Sequence, residues 1–225
     1  MTRLWIPIVT LAALALPLAA QESGKKADSG AAQTDKKSET KKVESLKLGD
    51  TVDEKVVMRD LDGKEYKFKD LRGKVVFIHF WSTVCPYEPA AHPKFHALMD
   101  RYKGKDVVQF GVASNQNELG PEPPKDSPKD MKEAEFAKVR EQVKATKIAY
   151  PIIVDRGNKI SDLLGGRTTP HCFVIDKKGV IVYAGGLDDD PKGDKGEAAK
   201  TYVRDAIDAV LAGTDIKVKE SKPYG

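Results

Sequence analysis

The sequence predicts an α/β fold: a central sheet flanked by helices, entered through an N-terminal β-hairpin. Three observations carry that prediction. Residues 74–81 (KVVFIHFW) form a nearly unbroken apolar and β-branched run, the pattern of a central strand buried on both faces. A helical pattern follows, with Phe95, Leu98, Met99 and Tyr102 at helical spacing, and then a second strand-like run at residues 107–113 (VVQFGVA). Strand, helix and strand with short joins make a right-handed unit whose strands pair in parallel. Ahead of them, Val56-Val57-Met58 and Tyr66-Lys67-Phe68 flank Asp62-Gly63, a hairpin turn signal.

The remaining elements follow in order. Residues 120–128 are proline-rich and read as an inserted loop. Ser127-Pro128 makes a helix start, with Ser as N-cap and Pro at the first helical position. Phe136, Val139 and Val143 give that helix an apolar face. Residues 151–154 predict a short strand, and residues 159–164 a short helix stopped by Gly165-Gly166. Residues 172–175 and 180–183 flank a turn at residues 176–179, a second hairpin. A final helix is predicted over residues 197–212, with Val203, Ile207, Val210 and Leu211 on one face and Gly213 as its stop.

The first 20 residues (MTRLWIPIVTLAALALPLAA) have the form of a secretory signal peptide: Arg3 in the charged region, an apolar stretch over residues 4–18, and a small-residue cleavage site at Ala19-Ala20. The apolar stretch falls short of the ~20 residues that a membrane span needs, so stable membrane insertion after signal cleavage is not expected. Residues 21–45 carry one larger apolar residue, Val43, among mixed charges, and are expected to form a disordered linker. Residues 46–225 then form a single domain. The formal net charge of +4 comes partly from the linker and implies no nucleic-acid partner. Export means an oxidising compartment, where the two cysteines, Cys85 and Cys172, must be paired, buried or used.

The segment FIHFWSTVCPYEPAAHPKFHALMDRY, residues 77–102, resembles the active-site strand and helix of the thioredoxin superfamily. Phe80-Trp81 precedes the cysteine, Pro86 follows it, and Pro93 falls where such helices kink. Arg167-Thr168-Thr169-Pro170, followed by a strand, resembles the cis-proline loop that faces the active cysteine in that superfamily. The lead-in LGDTVDEKVVMRDLDGKEYKFKDLRGKVV resembles the N-terminal hairpin of thiol–disulfide and alkyl hydroperoxide reductase-type redoxins. Cys85-Pro86-Tyr87-Glu88, which keeps only the first cysteine of a CxxC pair, resembles the peroxiredoxin-like redoxins with a single-cysteine CPY motif. The resemblance implies a thioredoxin-like fold with a central mixed sheet, and thiol or disulfide partners, either proteins or small molecules. It implies no cofactor and no bound metal. It also leads one to expect a Gly-Cys pair at the tail, whereas this sequence stops at Gly225.

Cys85 lies at a predicted helix start, where backbone N–H groups and the helix dipole favour a thiolate. A thiolate attacks disulfides or peroxides. Glu88 stands where the resemblance places the resolving cysteine, so Cys85 needs an external thiol or a second cysteine to leave a mixed disulfide. A negative Glu88 opposes the helix effect; the alternative is a plain acidic residue in the first helical turn. Cys172, two residues past Pro170 on a strand, shares that proline's face and is a candidate resolving cysteine; the other reading is a small core residue. His79, six residues before Cys85, takes the place of a buried acid in thioredoxins. With Glu88 as its neighbour it is expected either to titrate near neutral pH as a proton relay or to be a hydrogen-bonded core histidine. The resemblance implies that Pro170 and Thr169 shape a groove beside Cys85.

Other candidates are weaker. His92 and His96, four apart on a helix, read as a solvated face rather than a metal pair. Asp188-Asp189-Asp190 with Asp194 lacks calcium-loop spacing and reads as an exposed turn. A true peroxiredoxin needs a Pro and a Thr before its cysteine and a distant Arg. Ile78, Ser82, Asn158 and Lys159 stand at those places, with Arg156 off register. The expected function is an exported redoxin in thiol–disulfide chemistry through Cys85, periplasmic or otherwise extracytoplasmic. The alternatives are a one-cysteine thiol peroxidase with antioxidant activity, or a non-catalytic binding module that handles Cu(I) through Cys85 and His171.

Overall fold

A computed structural model describes residues 44–120 and 136–225. The signal peptide, most of the linker, most of the proline-rich loop and the Ser127-Pro128 helix start lie outside these residues.

The hairpin forms as expected: β1 (Val57–Arg59) pairs antiparallel with β2 (Glu65–Lys67). Its turn is organised by Asp60, whose carboxylate accepts from the N–H groups of Asp62 and Lys64. The apolar run becomes β3 (Val75–Trp81), buried along its whole length. It leads into α1 (Glu88–Arg101), then β4 (Val107–Ala113) and the short α2 (Gln116–Leu119). After the undescribed stretch come α3 (Ala137–Ala145), β5 (Ile152–Val154) and α4 (Lys159–Leu164). The chain finishes with β6 (Cys172–Ile175), β7 (Ile181–Gly185) and α5 (Tyr202–Ala212).

The five-stranded sheet has the order β5-β4-β3-β6-β7. β3, β4 and β5 pair in parallel, while β6 runs antiparallel to both β3 and β7, so the sheet is mixed and the fold thioredoxin-like. Both faces of β3 are covered, which is why its sequence does not alternate. Phe77 and Trp81 face a core with Phe95 and Leu98 of α1 and Val203 and Ile207 of α5. Val76, Ile78 and Phe80 face the other core, with Met58 and Phe68 from the hairpin and Ile160 and Leu164 of α4.

Three expectations are corrected. The last helix starts at Tyr202 rather than residue 197, after a short 3-10 turn at Gly196–Ala198. Lys200 is held in backbone and side-chain hydrogen bonds with Asp189, which keeps the chain out of the helix until Thr201. The aspartate run is not an exposed turn: Asp188 and Asp190 are buried, and Lys94 of α1 reaches them at 2.7 and 3.4 Å. His92 is not on a solvated face either, as described next.

Candidate active site

Cys85 sits just past the carboxyl end of β3, in the turn that feeds α1, three residues before the first helical residue. The antiparallel register brings the partner loop alongside. His79 of β3 pairs with Cys172 of β6, and the Phe80 N–H donates to the His171 carbonyl at 3.0 Å. The residues just before β6 therefore lie beside the residues just after β3. The Thr169-Pro170 bond there is cis. The Cys85 thiol donates to the Thr169 carbonyl, with sulfur and oxygen 2.7 Å apart. Cys85 itself is 9% exposed, but Val84 beside it is 71% exposed. Pro86 on its other side is exposed as well, so the sulfur lies in a shallow seat rimmed by apolar side chains.

A carboxylate that the sequence did not single out fixes the turn. Glu118, on α2, accepts from the Ser82 hydroxyl, from the Thr83 N–H at 2.7 Å and from the Asn115 side-chain amide at 2.7 Å. Ser82 is thus engaged by an acid. No local motif signals Glu118, because it is 36 residues from Ser82 along the chain. Only the parallel pairing of β3 and β4 makes them neighbours.

Glu88 is 3% exposed, its side chain turned inward beneath the turn. Burial pushes its carboxyl above the usual carboxylate range, the nearby Glu118 adds to that, and His92 works against it. His92 Nε2 lies 3.1 Å from Glu88 Oε2, and the Trp81 indole N–H donates to the same nitrogen at 3.3 Å. Burial disfavours the charged form of the Glu88 carboxyl. The i, i+4 spacing of His92 therefore serves a buried acid–imidazole pair, Glu88 with His92, and His96 lies outside it.

His79 is fully buried, stacked on Phe95 with ring centroids 3.9 Å apart, and its Nε2 faces the Tyr150 hydroxyl at 3.4 Å. Burial, reinforced by the charge of His92, pushes its imidazole down to about 3. Burial thus disfavours the charged imidazole that a relay titrating near neutral pH needs, and the packing on Phe95 fits the alternative of a core histidine. Gly111 of β4 faces it. A Cβ there would lie 2.6 Å from Ile152 Cδ1, 3.3 Å from the Tyr150 ring and 3.4 Å from His79 Nε2, so the glycine makes room chiefly for Ile152.

Cys172 is 0% exposed and belongs to the α1-side core with Trp81 and Tyr183. Burial pushes its thiol well above the ordinary range, with Glu88 and Asp188 adding to the effect. Both cysteines are free thiols in this structure. His171 tilts onto Phe173, and burial pushes its imidazole down to about 4. Among the described residues, no group of three or more His, Cys, Asp and Glu is arranged to hold a metal ion. Nor is any helix among them long and apolar enough to cross a membrane.

A cysteine thiol at the end of a central strand, facing the carbonyl that precedes a cis-proline, defines a thioredoxin-fold thiol site. The chain belongs to the redoxin family, whose model matches residues 47–202. Among curated proteins it is similar to the thiol-disulfide oxidoreductase ResA of Bacillus cereus, 30% identical over 126 residues, which are 56% of this chain and 62% of the relative. The chain thus spans less than two thirds of that relative's length. Among solved structures it is similar to a hypothetical protein from Sinorhizobium meliloti, with a TM-score of 0.62 and 22% identity over 80% of this chain and 93% of that one. An uncharacterised conserved protein from Geobacillus kaustophilus gives a TM-score of 0.60 at 21% identity, covering 80% of this chain and 94% of that one.

Proposed function

We propose that the protein is an extracytoplasmic thiol–disulfide redoxin in which Cys85 is the only reacting cysteine. The observation that carries this reading is the seat of its sulfur, against the Thr169 carbonyl and between exposed Val84 and Pro86. The Cys85 thiolate attacks a disulfide, forming a bond to one sulfur while the other leaves as a thiolate. Glu88 occupies the third position after Cys85, so no thiol of the same turn can attack this mixed disulfide. A free thiol from solution attacks instead, takes the bound half and returns Cys85 to its starting state.

Cys172 is not the resolving group in this reading. Its complete burial and raised thiol value leave little thiolate to attack with. Glu88 and His92 form the buried proton store nearest the turn, and His79 acts by packing. The apolar leader of the sequence supports export. The peroxidase reading has less support, since an acid holds the Ser82 hydroxyl and a carbonyl faces the sulfur.

The test is exchange with a small disulfide in the presence of excess low-mass thiol. Cys85→Ser is expected to abolish turnover, whereas Cys172→Ala retains it. Trapping without added thiol is expected to capture a mixed disulfide at Cys85. Turnover that survives Cys85→Ser, or that disappears with Cys172→Ala in a folded protein, would sink the proposal.

A further inference from the structure

Residues 219–225 cross from the edge of β7 to the seat of Cys85. They begin as a short parallel extension of the sheet: Ala184 bridges Glu220, the Ala184 N–H donates to the Lys219 carbonyl, and the Ser221 N–H donates back to the Ala184 carbonyl. The seat is built for them. A Cβ on Gly185 would lie 2.5 Å from the Ser221 carbonyl oxygen and 2.7 Å from its nitrogen. On Gly186 it would lie 3.2 Å from the Lys222 carbonyl oxygen. The Ser221 hydroxyl bonds the Tyr183 hydroxyl at 2.6 Å and accepts from the Gly186 N–H at 3.0 Å.

Beyond Pro223 the segment turns over the active-site loops. The Tyr224 hydroxyl donates to the buried Asp188 at 2.9 Å, and Asp188 is in turn held by Lys94. The Tyr224 ring meets the ring of Tyr87, two residues after Cys85, edge to face at 5.8 Å. The Tyr224 carbonyl accepts from the Thr168 hydroxyl at 3.4 Å. Gly225 then lies against Thr169 so closely that a Cβ on it would be 2.6 Å from the Thr169 carbonyl oxygen, the acceptor of the Cys85 thiol. The segment thus touches both sides of the seat, Tyr87 on one and Thr168-Thr169 on the other.

We propose that residues 219–225 form a strap that closes the Cys85 groove, admitting small reagents and excluding an extended polypeptide until the strap lifts. The occupant that the strap mimics is an extended backbone lying along Thr169, so the strap selects by size between low-mass and protein disulfides. This deepens the proposed thiol–disulfide reading and rests on it for the nature of the partner. The closure itself does not depend on that reading.

The test compares the parent protein with Tyr224→Ala and Gly225→Ala. Tyr224→Ala removes the anchor on Asp188 and Tyr87. Gly225→Ala adds only a methyl group, against the Thr169 carbonyl. Alkylation of Cys85 is followed by mass spectrometry with iodoacetamide and with a polymer-linked maleimide. Tyr224→Ala is expected to accelerate the bulky reagent ~10-fold, the effect of losing one or two hydrogen bonds of ordinary net strength; Gly225→Ala accelerates it in the same direction through the clash with the Thr169 carbonyl, and iodoacetamide gains much less in both. Labelling at the buried Cys172 monitors folding in the same spectra. An unchanged bulky-reagent rate in both variants would overturn the strap. Insulin reduction by excess low-mass thiol is measured in parallel. Faster alkylation without disulfide reduction in any protein leaves the strap standing and removes the redox reading. Equal insulin reduction in all three proteins, together with an unchanged bulky-reagent rate, removes the strap and keeps the redox reading.

Discussion

At the scale of single residues, the site is decided by which polar groups are buried and with what partner. His79 and His171 are buried without a counter-charge, and their imidazoles are pushed down from 6.5 to about 3 and about 4. Between those values and 6.5 the unfolded chain binds protons that the folded protein does not. Stability therefore rises with pH through that window and is lost as the pH falls. Replacing His79 by Phe keeps a ring against Phe95 and removes one such proton. The slope of unfolding free energy against pH between about 4 and 6 is expected to fall by about 1.4 kcal/mol per pH unit. Urea melts across that range read it directly, and an unaltered slope would mean that His79 is charged in the folded protein. Glu88 shows the same physics in reverse. Burial makes a charged carboxylate costly in its place and raises its pKa, while His92 opposes that shift.

At the scale of elements, the short helix α2 matters more than its length suggests. Its Glu118 ties the turn before Cys85 to the end of β4 through Ser82 and Thr83. Replacing Glu118 by Ala leaves a buried hydroxyl and a backbone N–H without their acceptor, which is expected to cost about 1–3 kcal/mol. The urea midpoint should fall with an unchanged denaturant dependence. A midpoint within error of the parent would show that solvent replaces the carboxylate and that the turn holds itself. α1 behaves differently. Pro93 lies inside it, yet the helix runs continuously from Glu88 to Arg101. Its buried face, Ala91, Phe95 and Leu98, supplies the packing that holds it against the sheet.

At the scale of the whole molecule, the sheet divides two cores, and the site sits where they meet at the carboxyl end of β3. Phe110 anchors the core away from α1, fully buried and edge-on to Tyr66 of the hairpin at 4.9 Å. Phe110→Ala is expected to cost about 3–5 kcal/mol. It should do so within one cooperative transition, because the hairpin packs on this core and leaves with it. A separate early transition would show that the hairpin unfolds alone.

Much of the fold was legible because it is written in local patterns. The run KVVFIHFW, the Asp62-Gly63 turn and the glycine stop after Leu164 each predict their element from neighbouring residues, and β3, the hairpin and α4 follow. Cys85 and the Thr169-Pro170 loop were legible through their resemblance to a known active site. The start of α5 was not, because a bond to distant Asp189 sets it. Glu118, the buried Asp188 and the His92–Glu88 pair were not legible either, since each owes its role to burial or to a partner brought in by sheet pairing.

The sequence by itself therefore determined an α/β domain with one cysteine presented at the end of its central strand, and an acid where a second cysteine would resolve it. Only the tertiary structure decided that this acid points inward to His92, that burial pushes the His79 imidazole down, and that residues 219–225 reach Tyr87 and Thr169. The physical reason is common to all three. Desolvation and close approach depend on what the fold packs around a group, and a linear pattern carries no record of that.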